Sequence, residues 1–416
     1  MTRIHWLRYA VNALMVVVLV ATTVVPEVSH GLLAALALLG LLEALARRDI
    51  AWRLPPEVLA LAALPLVALL VTTLAMLGGT DIPRLGWRKM EDLSWMFLLV
   101  PAWYLFRRHL DVRALALGVG LAAAVAGVWA AVEAYGQPVG FRSLGGAGKP
   151  IVFGILSMAL ATAAAGLSFC FPARWWLRVA MLAAALLGLL AAVFSGSRGA
   201  YLAVPLIGLL FWVSYRKRVS AKVVYWILAG GMLVILVAWN ISSLPTRMET
   251  AWHEIRAYAT AENPTKEAVG RTSLGLRFEM WKAAADESLH HPFLGVGLGN
   301  VNQVFVSAAE AGQVNIKTEL FDHAHNEFLN AALTRGLPGL AASLAVLLVP
   351  AFAFRRCLGT HRCVAVTGLG VVLLFAFAGL SDSVFYFKKD LVLYTLLILS
   401  FSAILSRQQQ DAAPLH

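Results

Sequence analysis

The chain has 416 residues, 60% of them apolar and only 14% charged, a balance that excludes a soluble globular domain of this size. Its net charge of +11 is gathered in short clusters between apolar runs, which is the pattern of a membrane topology signal and not of nucleic-acid binding.

Twelve apolar runs are long enough to be read as helices crossing a hydrocarbon core of ~30 Å. They cover roughly 10–25, 31–47, 56–77, 93–107, 113–135, 151–170, 174–194, 199–215, 222–241, 337–354, 362–380 and 390–405, the first and fourth being short. Backbone groups in hydrocarbon must bond within their own segment, so these runs are helices and not open sheet. The expected fold is an all-α, polytopic membrane bundle forming one integrated domain. Nine helices fall in 1–241, a large polar loop in 242–336, and three helices with a short tail in 337–416.

The basic residues set the orientation. With both termini cytoplasmic, Arg47-Arg48, Arg107-Arg108, Arg216-Lys217-Arg218 and Arg355-Arg356 all lie on one side, and the large loop faces the other. The N-terminal run has no cleavable signal pattern and reads as the first span. Cys170, Cys357 and Cys363 then fall near the cytoplasmic face, where thiols stay reduced, so no disulfide is expected. Trp52, Trp175, Trp176 and Trp212 near span ends fit an interfacial aromatic belt.

Several basic residues break the inside bias: Arg84, Arg88 and Lys89, Arg142 and Lys149, Arg198, and Lys388-Lys389. Either lipid headgroups or an anionic ligand at the outer surface accounts for them. Arg198 sits in Ser195-Gly196-Ser197-Arg198-Gly199-Ala200, a small-residue turn that lets helices approach closely and projects a guanidinium into the bundle mouth. There it can fork onto phosphate oxygens; a snorkelling arginine is the alternative. In the large loop, Arg277-Phe278-Glu279-Met280-Trp281 has helical spacing, with the arginine one turn before a tryptophan that can hold it flat.

Gly295, Gly297 and Gly299 alternate without a parallel-strand unit around them, so they read as a tight turn and not a dinucleotide site. His290 and His291 read as solvated. His323 and His325 form a His-x-His pair, but Phe328, Leu329, Ala332 and Leu333 recur at helical period and extend a helix over the pair. Residues two apart on a helix face away from one another, so no metal site is expected. No Asp-x-Asp pair suits a magnesium-bound nucleotide sugar.

His325-Asn326, nine further residues, then Gly336-Leu337-Pro338-Gly339 resembles the signature of the bacterial O-antigen ligases. The Arg198 turn resembles the glycine-arginine turn of the wider superfamily of ligases, polymerases and protein O-oligosaccharyltransferases. About a dozen spans with one dominant loop between the ninth and tenth complete the likeness. The resemblance implies a glycosyltransferase of the bacterial inner membrane whose active site faces the periplasm. Its donor would be an O-antigen polysaccharide on undecaprenyl pyrophosphate, and its acceptor a sugar hydroxyl of the lipid A core. No cofactor, metal or nucleic acid is implied; membrane lipids are the remaining partner.

In that scheme His325 is the general base, and Arg198 and Arg277 hold the pyrophosphate with Arg142 and Arg88 in support. Asn326 orients the histidine or caps the helix, Asp322 is a further partner for the histidine, and Glu327 is solvated or pairs with an arginine. The inferred displacement inverts the anomeric centre. A polymerase is expected to carry a second substantial loop, and a protein O-oligosaccharyltransferase a longer C-terminal region. A transporter would place ionisable residues at the bilayer midplane, where these spans have almost none, Glu133 being the main exception.

Overall fold

The computed structural model describes residues 2–46, 54–138, 140–217 and 244–412, and among these it is helical with no strand. In chain order the helices are α1 (Thr2–Val24), α2 (Pro26–Ala46), α3 (Pro56–Leu77), α4 (Arg84–Leu98), α5 (Ala102–His109), α6 (Val112–Ala134), α7 (Pro150–Leu167) and α8 (Trp175–Ser195). The short α9 (Arg198–Tyr201) leads into α10 (Val204–Tyr215). Within the loop lie α11 (Leu244–Thr260), α12 (Ser273–His290) and α13 (Val301–Glu310), and the chain closes with α14 (Glu327–Arg356), α15 (Arg362–Ala378) and α16 (Lys388–Ala412).

Among the described residues, eight helical segments are long and apolar enough to cross a membrane, and His30–Ala46 and Arg362–Ala378 are shorter apolar helices. The protein is therefore a multi-pass membrane protein. The expected ninth span, 222–241, and Trp52 lie outside the described residues. The expected fourth span is not one straight helix: it is divided at Leu99-Val100-Pro101 into α4 and α5. Proline at 101 cannot extend the preceding helix, and the break is packed against α2, where a Cβ on Gly40 would stand 2.2 Å from the Pro101 carbonyl oxygen.

The two most enclosed helices are α7 and α16, while α10 keeps most of its surface outward, as a lipid-facing helix does. Trp175, Trp176 and Trp212 are exposed, in keeping with a belt. Buried carboxylates in the bundle sit near helix ends, Glu43 against His109 at 3.0 Å and Glu57 accepting from Ser402 at 2.6 Å.

One expectation about the cysteines is corrected. Where the end of α7 runs along the start of α15, Cys170 and Cys363 come within 5.4 Å between Cα atoms and are joined by a disulfide; Cys357 is free and buried. Their separation of 193 residues hides a proximity that helix packing creates.

The long loop has its own small core of Met280, Ala284, Val301, Phe305, Val314, Ala324 and Leu333, so it is a folded cap and not a tether. Glu279, fully buried, accepts from the Asn315 backbone at 2.8 Å and from Tyr258, cross-linking α11, α12 and the following turn. The cap is continuous with the bundle because α14 has 30 residues, more than the roughly 20 that a bilayer core requires. Its first turns therefore stand in the cap and the rest in the bundle, with a break at Gly336 (φ 62, ψ −161).

Candidate active site

Asn326 fixes where α14 begins. Its side-chain oxygen accepts from the backbone N–H groups of Phe328 and Leu329 at 3.0 and 3.1 Å, an N-cap, while its amide donates to the Leu380 carbonyl at 3.2 Å. The helix consequently starts at Glu327, and His323 and His325 precede it in irregular chain. The expected helical placement of the His-x-His pair is thus corrected: the two rings lie 4.1 Å apart, on the same side. His325 has φ of +48°, the one non-glycine residue among those described with a left-handed backbone, a conformation costly enough to need a reason.

The reason is a carboxylate from a distant part of the chain. His325 Nδ1 lies 3.0 Å from Asp382 Oδ1, and His323 Nε2 lies 3.7 Å from the same oxygen, too long for a hydrogen bond but within ion-pair reach. Asp382 is 1% exposed and is held by its neighbour, since the Ser383 N–H donates to Oδ1 at 3.0 Å. Asp322, an expected partner of the histidine, bonds His323 Nδ1 at 2.7 Å instead. His323 is further stacked on Tyr386, 4.6 Å between centroids, and edge-on to Phe387.

Charge is divided between the two imidazoles. Burial opposes ionisation of Asp382, but its interactions with His323 and His325 outweigh this and hold its carboxyl well below the usual range. Burial also disfavours a charged His323, yet Asp322 and Asp382 together raise it above the ordinary imidazole value. For His325 burial prevails: with His323 and Arg277 opposing a second positive charge, it is lowered despite Asp382. An ionised Asp382 only accepts, so Nδ1 of His325 carries the proton and Nε2 the lone pair. The centre thus sets a histidine biased towards the cation and a histidine biased towards the neutral form about one carboxylate.

Around it the basic residues arrive from four elements. Arg277 on α12 is mostly buried, and burial pulls its guanidinium down while Asp382 and Glu254 pull it up; its charge acts directly on His325 and Asp382. The expected stacking on Trp281 is not among the described contacts, where Trp281 meets Phe278 edge-on at 5.7 Å. Arg198 opens α9, and the next residue abuts the Asp382 loop: a Cβ on Gly199 would fall 1.8 Å from Ser381 Oγ. Arg142 donates through Nε to the Ser195 carbonyl at 2.8 Å, so the structure joins Arg142 and the Arg198 turn. Glu133 keeps that loop in place by accepting from Leu144, Gly145 and Ser143.

Arg88 is exposed on α4, and the side chain of α4 that reaches the centre is Lys89, 3.6 Å above the Tyr386 ring and donating to its carbonyl at 3.1 Å. Lys149 lies over Phe387 at 4.9 Å.

One expectation nearby comes out differently. Glu327 is not solvated: it is 1% exposed and faces Arg335, the arginine pair being the alternative that forms. Gly295, Gly297 and Gly299 all have positive φ, and the turn they make lies against the break in α14, where a Cβ on Gly295 would meet the Arg335 nitrogen at 2.5 Å. His290 and His291 are exposed, His291 lying 3.2 Å from Glu287.

Asp382 was not singled out by the sequence, and His323 and Lys89 were noted there without a role at this centre. The signal for Asp382 was a lone carboxylate in Ser381-Asp382-Ser383 between the last two apolar runs. Donor atoms of His323, His325 and Asp382 all lie within 4.8 Å of one another, a set that fits a divalent ion as well as it fits the hydrogen bonds it makes.

The fold and this centre define a polytopic membrane protein that gathers a histidine pair, a buried carboxylate and several cations at the loop end of its bundle. Residues 182–344 match the family model for O-antigen ligase, a stretch that holds the Arg198 turn, the whole cap and the His325 to Gly339 motif. The chain is 22% identical over 324 residues to an uncharacterized protein of Haemophilus influenzae, covering 74% of this chain and 79% of that protein. It is 28% identical over 158 residues to the ComP-specific O-oligosaccharyltransferase of Acinetobacter baylyi, covering 37% of this chain and 26% of that one. Over this stretch the chain is thus similar to O-antigen ligases and, more distantly, to an O-oligosaccharyltransferase.

Proposed function

We propose that this protein is an O-antigen ligase, moving a polysaccharide from undecaprenyl pyrophosphate to a sugar hydroxyl of the lipid A core at the periplasmic face of the inner membrane. The observation that carries the reading is His325, with Nδ1 3.0 Å from the buried carboxylate of Asp382 and Nε2 left to accept a proton. Nε2 of His325 takes the acceptor's hydroxyl proton as that oxygen bonds the anomeric carbon. The bond from that carbon to the pyrophosphate oxygen breaks on the opposite face, and lipid pyrophosphate leaves with the electron pair, inverting the centre.

Negative charge grows on the leaving oxygens, where Arg277 and Arg198, with Arg142 and, in place of the exposed Arg88, Lys89 in support, stabilise it. Asp382 is a positioning residue, keeping the imidazole in the tautomer that can accept. The donor carries its own leaving group on the outer leaflet, so no nucleotide or cofactor enters the scheme. A histidine base alone is worth roughly 10²–10⁴-fold in rate.

The decisive assay offers purified protein a synthetic polyprenyl pyrophosphate oligosaccharide with lipid A core, a second donor molecule or a pilin-like protein as acceptor. Glycosylation of lipid A core is expected. The similarity to a ComP-specific O-oligosaccharyltransferase favours protein transfer as the second reading, and product on the pilin-like protein alone would select it. Elongation of the donor would select a polymerase. His325→Ala should abolish transfer while donor binding, read by co-purified or titrated lipid, survives. Chelator should leave the rate unchanged; inhibition reversed by a divalent ion would give the three-ligand cluster to a metal and end the metal-free scheme.

A further inference from the structure

We propose that the buried Glu327–Arg335 pair is a positioning device that sets Asp382 against His325; the inference rests on the histidine-base reading above. Glu327 and Arg335 are 1% and 3% exposed and face one another along α14, Arg335 Nη2 3.9 Å from Glu327 Oε1. The two ends of the Glu327 residue grip the segment between α15 and α16. Its backbone N–H donates to the Gly379 carbonyl at 2.7 Å, and its Oε2 accepts from the Phe385 N–H at 2.9 Å. Asn326 adds a third tie, to the Leu380 carbonyl at 3.2 Å.

Asp382 lies between these anchors, so the arch that carries it is pinned on both sides by the two residues that follow His325 in the chain. Fixing both the histidine and its carboxylate from one helix terminus removes the relative motion that would lengthen their 3.0 Å contact.

A carboxylate taken from water is stabilised only if its oxygens are well supplied with donors. Here Oε1 accepts from Ser343 at 3.2 Å and Oε2 from Phe385, with Arg335 balancing the charge. Arg335 is fixed in turn by the break in α14. The Leu337 N–H bonds the Pro292 carbonyl at 2.7 Å, the Val296 N–H bonds the Leu333 carbonyl at 2.8 Å, and a Cβ on Gly339 would meet Arg335 Cβ at 2.3 Å. An apolar pair of similar volume would pack as well, so a charge at this depth points to a geometric duty beyond cohesion.

The test compares Glu327→Gln, Glu327→Met with Arg335→Met, Asp382→Asn and His325→Ala in the full-length protein, by rate, donor KM and pH profile of transfer. For Glu327→Gln, kcat should fall at least tenfold with donor KM within twofold of wild type. The acid limb should move to lower pH, as in Asp382→Asn, because His325 loses the carboxylate that favours its charged form. Combining Glu327→Gln with Asp382→Asn should cost no more than threefold beyond Asp382→Asn alone, since both act through one contact.

The double methionine variant keeps volume without charge and should show the same slow rate and displaced limb, which covers a Gln variant that does not fold. The proposal is overturned by a folded variant with kcat within twofold of wild type, by losses that multiply with Asp382→Asn, by an unmoved limb, or by failure of both variants to fold, which marks a purely structural pair. Full activity in His325→Ala would instead remove the base reading, and the proposal with it.

Discussion

At the scale of single residues, the centre distributes two charges over three side chains. His323 is biased to the cation, Asp382 to the anion and His325 to neutrality, and only the last arrangement leaves a base. Because His325 is pushed below the ordinary imidazole value of about 6.5, transfer should hold its full rate at pH 7 and decline only as pH falls through that lowered value. Replacing Asp382 with Asn removes the interaction that raises His325, so the acid limb should move further down. The rate should fall by about 10²–10⁴-fold as the tautomer is lost. A pH–rate series of kcat/KM checks both, and an upward move of the limb would contradict the assignment of the proton to Nδ1.

His325 itself was legible from its motif. Its partner was not, since 57 residues separate it from Asp382 and no periodicity connects them.

At the scale of elements, α14 is the piece that joins cap to bundle, and Gly336 is where it turns. At φ 62 and ψ −161 only glycine is comfortable, and a Cβ there would come within 2.5 Å of the Phe293 backbone. Gly336→Ala should therefore destabilise the protein by roughly 1–3 kcal/mol, seen as a lower Tm in detergent, and slow transfer by loosening the 292–296 turn. Unchanged stability would mean that the break relaxes without cost.

The glycines of Gly336-Leu337-Pro338-Gly339 were visible as a motif, and the apolar pattern put a boundary at 337, next to the break at Gly336 that divides α14. Hydropathy records which residues tolerate lipid; it is silent on the helical segment 327–335 that leads from the folded cap to that break. The same limit applies to the divided α4–α5 run, where apolarity was continuous but Pro101 interrupts the backbone.

At the scale of the whole molecule, the proposal needs the cap on the outer side. A membrane-impermeant maleimide added to intact spheroplasts should label Lys317→Cys, which is exposed in the cap, and spare Arg356→Cys, exposed at the opposite end of α14, until the membrane is opened. The reverse pattern would put the site in the cytosol and remove any access to an outer-leaflet donor.

Composition and hydropathy by themselves determined that this is a multi-pass helical membrane protein, because burying polar backbone in lipid leaves few alternatives. Local motifs pointed to the ligases it resembles, since His325, Asn326 and the glycines lie close together in the sequence. Tertiary structure alone decided that Asp382 meets His325, that Cys170 meets Cys363 and that Glu327 is sealed against Arg335. Each of these depends on how separate helices pack, and packing joins residues whose distance in sequence carries no record of their contact.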